Sequence, residues 1–586
     1  MRVSGAWVLL ACLLVGWAYV RTAAVTEDAF ITFRVIDNAL HGHGLVWNVG
    51  ERVQPYTHPL WALLLLAVSA VSGEIFHTSL GLSLALTLAT VALVVRHAKG
   101  RLIALWALLA LLFSEAFIEY SSAALENALA HALVAAMVVA WRRFPLTDRH
   151  VWITALCGGL LVITRHDFAV LVAPAMLSLF LRASGRARWA VLFAGAGPLV
   201  AWSAFSLVYY GSPWPNSAYA KLNNGLSMAE SFAAAAPYFR DLVKYDAVTA
   251  LVIVVAALRG LLHGSWQMRP LALGLALYML YLGSAGGDYM GGRLFSAPFV
   301  LAVAMLAMNV RLRWWWTAPL WFALTIGLGL HRGWMVWNVH PHAETRKLSQ
   351  HAWMYPATGW LSPQRTADFH DMPWGKQGLT ARSEQHAVVA KCAVGLYGFN
   401  AGPGVYIVDP LAIADGFLSR LPSKKPAYPG HYERALPEGY VETIVSGKNS
   451  LRDPALAELY DQMRLLQRAP LFAVVELQQG EQGAQTLLAL FQPLQQISEA
   501  DADAVLLCMF ARLVDDGMAL VEQNQHLTRI LRSNAGIVNG VPLTIEIASH
   551  LNVLHQKRRF EFFYRRIITH QFRLQADGAD TVRQHL

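Results

Sequence analysis

Apolar runs of nearly membrane-spanning length recur through roughly the first 335 residues of this chain, separated by short polar breaks. A helix crosses a bilayer with about 20 apolar residues, and in hydrocarbon every backbone amide must be bonded within its own segment. The chain is therefore expected to be a polytopic α-helical membrane protein. Composition agrees: 55% of the 586 residues are hydrophobic, 15% are charged, and the mean hydropathy is +0.38, outside the usual range of soluble domains. From about residue 340 charges, prolines and glycines mingle with short apolar stretches. That change implies a membrane domain over 1–338 and a soluble C-terminal domain over 339–586.

The net charge of +9 does not indicate nucleic acid, because the arginines and lysines of the first half cluster in short loops between apolar runs. One set of loops is basic: 96–101, 141–143, 182–188, 263–269 and 311–313. The other is acidic or mixed and rich in Gly, Asn and Pro: 27–54, 115–126, 165–167, 211–246 and 286–293. The two sets alternate, which puts the basic loops in the cytoplasm and the second set on the far side. Two apolar runs, 59–71 and 80–95, fall between one outer and one inner loop, so the shorter first run is expected to lie at the interface or re-enter. The length rule then gives about eleven crossings, with the N-terminus inside and the C-terminal domain outside. Arg2 and the small residues Thr22, Ala23 and Ala24 resemble a cleavable signal peptide, but the many later spans favour an uncleaved anchor.

The four cysteines, Cys12, Cys157, Cys392 and Cys508, show neither a CxxC nor a zinc-ligand spacing. In the C-terminal domain, 404–408 and 471–477 read as strands, and 455–466 and 504–521 as helices, so an α/β arrangement is expected. The tail 557–566, KRRFEFFYRR, reads as a solvated basic helix face or a segment touching membrane lipids.

The polar residues of the membrane half gather in the outer loops. Glu27 and Asp28 directly follow the first apolar run. Carboxylates there can take a proton from an attacking hydroxyl or coordinate a divalent cation; the plain alternative is a solvated helix end. Phe33, Val35, Ile36 and Leu40 are spaced as in a short amphipathic helix along the interface, which would turn Arg34 and Asp37 to the aqueous cavity. Asn48, Glu51, Tyr56 and His58 share that loop. Glu126 heads a helix, where a carboxylate is favourable on electrostatic grounds alone. Arg165, His166 and Asp167 form a charged bend that is costly unless it faces a polar cavity, and Arg165 can hold a phosphate in a bidentate fashion. Asn216, Tyr219 and Lys221 follow a proline turn, combining amide, ring and cation as a sugar phosphate would require. Asp288 and Arg293 flank glycines that permit close approach of backbone to a ligand, and can equally form a structural ion pair.

The run EDAFITFRVIDNALHGHGLVWNVGERVQPYTHPLW, residues 27–61, resembles the first-loop motif of GT-C glycosyltransferases that use polyprenyl-phosphate sugars. It is similar to the motif of the mycobacterial terminal arabinofuranosyltransferases and of related bacterial enzymes, including the type IV pilin arabinosyltransferase. Shorter matching pieces lie at 121–127, 165–167, 215–222, 286–293, 408–415 and 429–434. Glu27 departs from the first of that family's paired aspartates. The extra methylene changes reach more than acidity, so Asp28 takes the catalytic role first and Glu27 a supporting one, with both open to a cation.

The resemblance implies transfer of arabinofuranose, on the periplasmic side of a bacterial inner membrane, from a polyprenyl-phosphate donor to a glycan or pilin acceptor. Arg34, His58, Arg165, Asp167, Asn216, Tyr219, Lys221, Asp288 and Arg293 are then candidates to bind the donor's phosphate or sugar. Glu126, Asp409, His431 and Arg434 are candidates for an acceptor site or lid, and Asp415 is polar enough for either. Two rivals stand beside this reading: a transferase for another polyprenyl-phosphate sugar, mannose or aminoarabinose, and a lipid or sugar transporter. A transporter would carry its ionisable groups near mid-membrane, whereas here they collect at span ends on one face.

Overall fold

The computed structural model describes residues 3–142, 147–222, 225–310, 317–331, 336, 348–385, 387–392, 394–424, 430–469, 537–538 and 541–542. Two compact units are distinguished, Met1–Ala469 and Pro470–Leu586. In the second, the described residues are a short antiparallel pair, Ile537–Val538 with Val541–Pro542. The expected strand at 471–477, helix at 504–521 and basic tail at 557–566 lie outside the described residues.

The first unit is largely helical. In chain order it runs α1 (Gly5–Thr22), α2 (Glu27–Leu40), α3 (Pro59–Ser72), α4 (Phe76–Arg96), α5 (Arg101–Phe113), α6 (Glu115–Ser121), α7 (Asn127–Trp141), α8 (Asp148–Thr164), α9 (Phe168–Arg182), α10 (Gly185–Tyr210), α11 (Asn216–Leu222), α12 (Met228–Tyr245), α13 (Ala247–His263), α14 (Met268–Ser284), α15 (Ser296–Asn309) and α16 (Thr317–Leu330). Then follow α17 (Gln350–Thr358), α18 (Pro373–Ser383), β1 (Val388–Ala390), α19 (Leu396–Ala401), β2 (Tyr406–Val408), α20 (Tyr440–Ser446) and α21 (Pro454–Arg468). The strand expected at 404–408 is β2, and the helix expected at 455–466 is α21. β1 and β2 pair in parallel, Val388 opposite Tyr406.

Among the described residues, three helices are long and apolar enough to cross a membrane alone: α1, α4 and α10. The pairs α5–α6, bent by 70°, and α12–α13, bent by 105°, bring the count to five if each is one broken span. Other apolar runs that read as crossings form shorter helices, α7, α9 and α16 among them, so a count of runs exceeds the count of helices that reach across alone, and the 59–71 run, expected at the interface or re-entrant, forms the short helix α3. α15 sits at the centre. Every residue from Ser296 to Met308 is buried, as expected of a helix apolar on all sides. Close packing elsewhere in the bundle relies on small residues. At Gly159 in α8, a Cβ would lie 2.5 Å from the carbonyl oxygens of Ala194 and Gly195 in α10.

The first outer loop does form a helix, α2, but not one lying free along an interface. Nine of its residues, Ala29 to Ile36 and Asn38, are buried. Phe30 meets Phe369 and Phe399 edge-on or tilted, with centroids 5.2 and 5.6 Å away, so residues beyond 348 cover the helix. The rest of the motif strengthens this seam. Asn48 exchanges hydrogen bonds with the backbone of Ile407, at 3.0 and 3.1 Å. Glu51 accepts from the Tyr406 hydroxyl at 2.5 Å, and Arg52 donates to the carbonyls of Leu466 and Ala469 at 2.8 and 2.6 Å. Residues 348–469 thus pack within the same compact unit as the membrane half.

Candidate active site

Glu27 and Asp28 occupy the first turn of α2, where exposed helix amides favour negative charge. Their approach is fixed by backbone. Thr26 bonds the Ala123 carbonyl through both its amide and its hydroxyl, at 3.2 and 3.1 Å. Thr358 donates to the Val25 carbonyl at 2.7 Å.

The two acids have different surroundings. Asp28 accepts from the Tyr289 hydroxyl at 2.5 Å on one oxygen and from Arg293 Nη1 at 2.7 Å on the other. Burial works against its charge, yet Arg293, the Tyr289 hydroxyl and Lys221 outweigh it and hold Asp28 below the ordinary aspartate range. Glu27 accepts through one oxygen from the amides of Gly395 and Leu396, at 2.8 and 3.2 Å. Burial first, then the charge of Asp28, push its carboxyl up to about 8, against the lowering pull of those two amides. Gly395 is needed for this approach: a Cβ there would lie 2.2 Å from the Glu27 carbonyl oxygen and 2.5 Å from its carboxyl.

Behind Asp28 a buried ionic chain continues. Arg293 reaches Glu126 Oε1 at 3.3 Å, and Arg165 reaches the same oxygen at 2.8 Å. Arg165 also forks onto Asp167, at 3.0 and 3.1 Å, and Tyr278 donates to Asp167 at 2.7 Å. His58 Nδ1 lies 3.1 Å from the second Glu126 oxygen, while its Nε2 is 2.8 Å from the Thr32 hydroxyl. Glu126 is fully buried, so its charge is held by two guanidiniums and a histidine rather than by water. Arg293 Nε is buried without a partner.

On the other side of Tyr289, the space beside Gly430 gathers several candidates. A Cβ on Gly430 would lie 3.6 Å from Tyr289, 3.9 Å from Asp288 Oδ1 and 3.9 Å from Lys221 Nζ. His431 stands edge-on to Tyr289, with centroids 4.3 Å apart. Glu27, Tyr289 and His431 line a cavity of about 650 Å³, with Ser349, Gln350, Trp353, Trp374 and Lys391 on its wall.

The structure thus brings together Glu27, Asp28, His58, Glu126, Arg165, Asp167, Lys221, Asp288, Arg293 and His431. Other candidates do something else. Arg34 does not face an aqueous cavity: it is buried, lies over the Trp47 ring, and donates to the carbonyls of Trp47, Gly398 and Val405 at 2.8, 2.5 and 2.9 Å. Asp37 is partly exposed beside His41. Asn216 donates to the carbonyls of Ala412, Ile413 and Asp415, and Tyr219 lies under the Arg420 guanidinium at 3.5 Å. Arg434 donates to the carbonyls of Ala220 and Tyr432. Asp409 accepts from the amides of Leu411, Ile413 and Ala414; burial still raises it to about 6. Asp415 accepts from the Leu418 amide and the Tyr440 hydroxyl. Apart from Asp37, these residues brace the covering segment.

Tyr289, Tyr278 and Thr32 join the site without having been singled out. Tyr289 sits inside the glycine-flanked cluster 286–293, which was the available signal. The fit to a divalent cation at Glu27 and Asp28 is poor: both Asp28 oxygens and one Glu27 oxygen already accept hydrogen bonds. Among the described residues no group of three or more His, Cys, Asp or Glu side chains forms a ligand set.

Over 526 residues the chain is 23% identical to the terminal beta-(1->2)-arabinofuranosyltransferase of Mycobacterium tuberculosis, an alignment covering 73% of this chain and 83% of that protein. Over 356 residues it is 25% identical to the protein of the same name from Corynebacterium glutamicum, covering 52% of this chain and 51% of that one. No protein-family model matches the chain, and no solved structure matches it. The first-loop resemblance and these relatives agree: along most of its length the chain is similar to proteins named as terminal arabinofuranosyltransferases.

Proposed function

We propose that this chain transfers arabinofuranose from a polyprenyl-phosphate donor to an acceptor hydroxyl on the periplasmic side of a bacterial inner membrane. About eleven crossings, a cytoplasmic N-terminus and a periplasmic covering segment go with that reading, on the alternation of basic and polar loops. The observation that carries it is the placement of Asp28 between Arg293 and Tyr289, next to a cavity fronted by Glu27.

In the reaction, the acceptor oxygen bonds to the anomeric carbon as that carbon's bond to the phosphate oxygen breaks. The hydroxyl proton passes to Asp28, and polyprenyl phosphate leaves with the electron pair. Lys221 stands close enough to Asp28 to act on its charge, and with Arg293 it offers cationic groups to the departing phosphate. Arg165 and His58 fix Glu126, and Glu126 fixes Arg293. Asp288 positions the loop that carries Tyr289, whose amide it accepts at 2.8 Å.

One observation favours a second assignment of the base. Glu27, not Asp28, lines the cavity, and its raised pKa suits proton exchange near neutral pH. Asp28 would then hold Arg293 and Tyr289 in place. Membranes carrying the enzyme, given labelled polyprenyl-phosphate arabinofuranose or polyprenyl-phosphate mannose, test the sugar. Transfer from the mannose donor alone rejects arabinofuranose.

A further inference from the structure

One wall of the cavity beside Glu27 has no part in the chemistry described. Trp353, in the first turn of α17, and Trp374, in the first turn of α18, face each other there with ring centroids 4.9 Å apart and planes at 57°. Trp353 stays 46% exposed. Large apolar rings left open beside a polar reaction centre mark a surface that something covers. Around them stand a hydroxyl, Ser349, an amide, Gln350, and Lys391, whose ammonium is already bonded to Gln377 at 2.7 Å. A ligand for this wall therefore needs flat apolar faces and several hydroxyls, some of which can accept from the remaining Lys391 donors.

Sugar rings have that chemistry. Their C–H faces pack on indoles while their hydroxyls exchange hydrogen bonds with serine, amide and backbone groups. We propose that Trp353 and Trp374 form a subsite for a glycan acceptor, stacking the sugars next to the one that reacts, so that the terminal hydroxyl reaches the Glu27–Asp28 end. The cavity of about 650 Å³ has the size of a site for a ligand of several rings. This rests on the glycosyl-transfer reading and adds the class of acceptor: glycan rather than polypeptide.

The test separates binding from transfer. Full-length protein in detergent is titrated, without donor, with a synthetic arabinofuranosyl tetrasaccharide, followed by tryptophan fluorescence and calorimetry. Binding with a fluorescence change is expected. Trp353→Ala should weaken it about tenfold or more, Trp353→Phe should restore part of the loss, and Trp374→Phe should weaken it by less. In transfer assays Trp353→Ala should raise KM for the tetrasaccharide by a similar factor, with kcat changed less than about threefold.

Unchanged affinity and KM in Trp353→Ala overturn the subsite. So does binding of an extended Ser/Thr-containing peptide in place of the tetrasaccharide. If the tetrasaccharide binds through the indoles but polyprenyl-phosphate arabinofuranose gives no transfer, the donor reading fails and the glycan subsite stands.

Discussion

Arg293 holds two carboxylates from opposite sides, Asp28 at 2.7 Å through Nη1 and Glu126 at 3.3 Å through Nη2. One guanidinium thereby ties the start of α2 to the loop before α7, and the charge of Asp28 depends on it. Asp28→Asn keeps the shape but loses the proton acceptor. Transfer in washed membranes is expected to fall at least about a hundredfold. Near-normal transfer by this variant would assign the base to Glu27.

Tyr289→Phe removes the short hydrogen bond to Asp28 and leaves Arg293. The bond favours the ionised carboxylate, so without it the Asp28 pKa rises. The acid limb of the rate profile should move to higher pH, because the carboxylate protonates sooner as pH falls. Transfer rates measured across pH 4 to 9 report the shift; an unmoved limb would mean that Asp28 does not govern it.

Glu126→Gln leaves Arg165 and Arg293 facing each other across a neutral side chain that is fully buried in the wild type. Removing one partner from a buried ionic cluster costs about 3–5 kcal/mol. A clear drop in detergent melting temperature should result, with loss of transfer. Glu126→Asp keeps the charge and should recover part of the stability.

Glu27 makes stability depend on pH in a stated direction. Its folded carboxyl titrates at about 8, against 4.5 for the unperturbed group. Below the lower value both states hold the proton. Between the two values the unfolded state has released it and the folded state keeps it, so this residue's contribution falls as pH rises and then stays level above about 8. Glu27→Gln removes that slope. The fall in melting temperature between pH 5 and pH 9 should be smaller in the variant than in wild type.

Gly395→Ala places a methyl group against the backbone and carboxyl of Glu27. Relief requires moving α2 or α19, at a cost of about 1–3 kcal/mol. Reduced melting temperature and reduced transfer should appear together. A fully active and equally stable variant would show that the amides of Gly395 and Leu396 are not needed.

Part of this site could be read along the chain. Glu27, Asp28, Arg165, Asp167, Asp288 and Arg293 stand out because ionisable groups at the ends of apolar runs are costly without partners, and here they have partners. Arg34, Asn216 and Arg434 carry the same polar signal, yet they serve backbone carbonyls along the seam between the covering segment and the rest of the unit, and residue type alone does not distinguish a ligand from a brace. The amides of Gly395 and Leu396 leave no mark at all, since every non-proline residue has one. The number of crossings was hard to read for another reason. Hydropathy registers apolar runs, while bends between α5 and α6 and between α12 and α13 decide how much of each run is one helix.

The bond between Glu27 and Gly395 also sets an order of events during synthesis. It joins residues 368 positions apart, so a ribosome completes the membrane half long before the amide that receives Glu27 exists. Without that amide and the burial around it, the Glu27 carboxyl has the ordinary pKa of 4.5. Docking of the covering segment buries it, and because burial favours the protonated carboxyl, the docked arrangement is favoured more at low pH than at high pH.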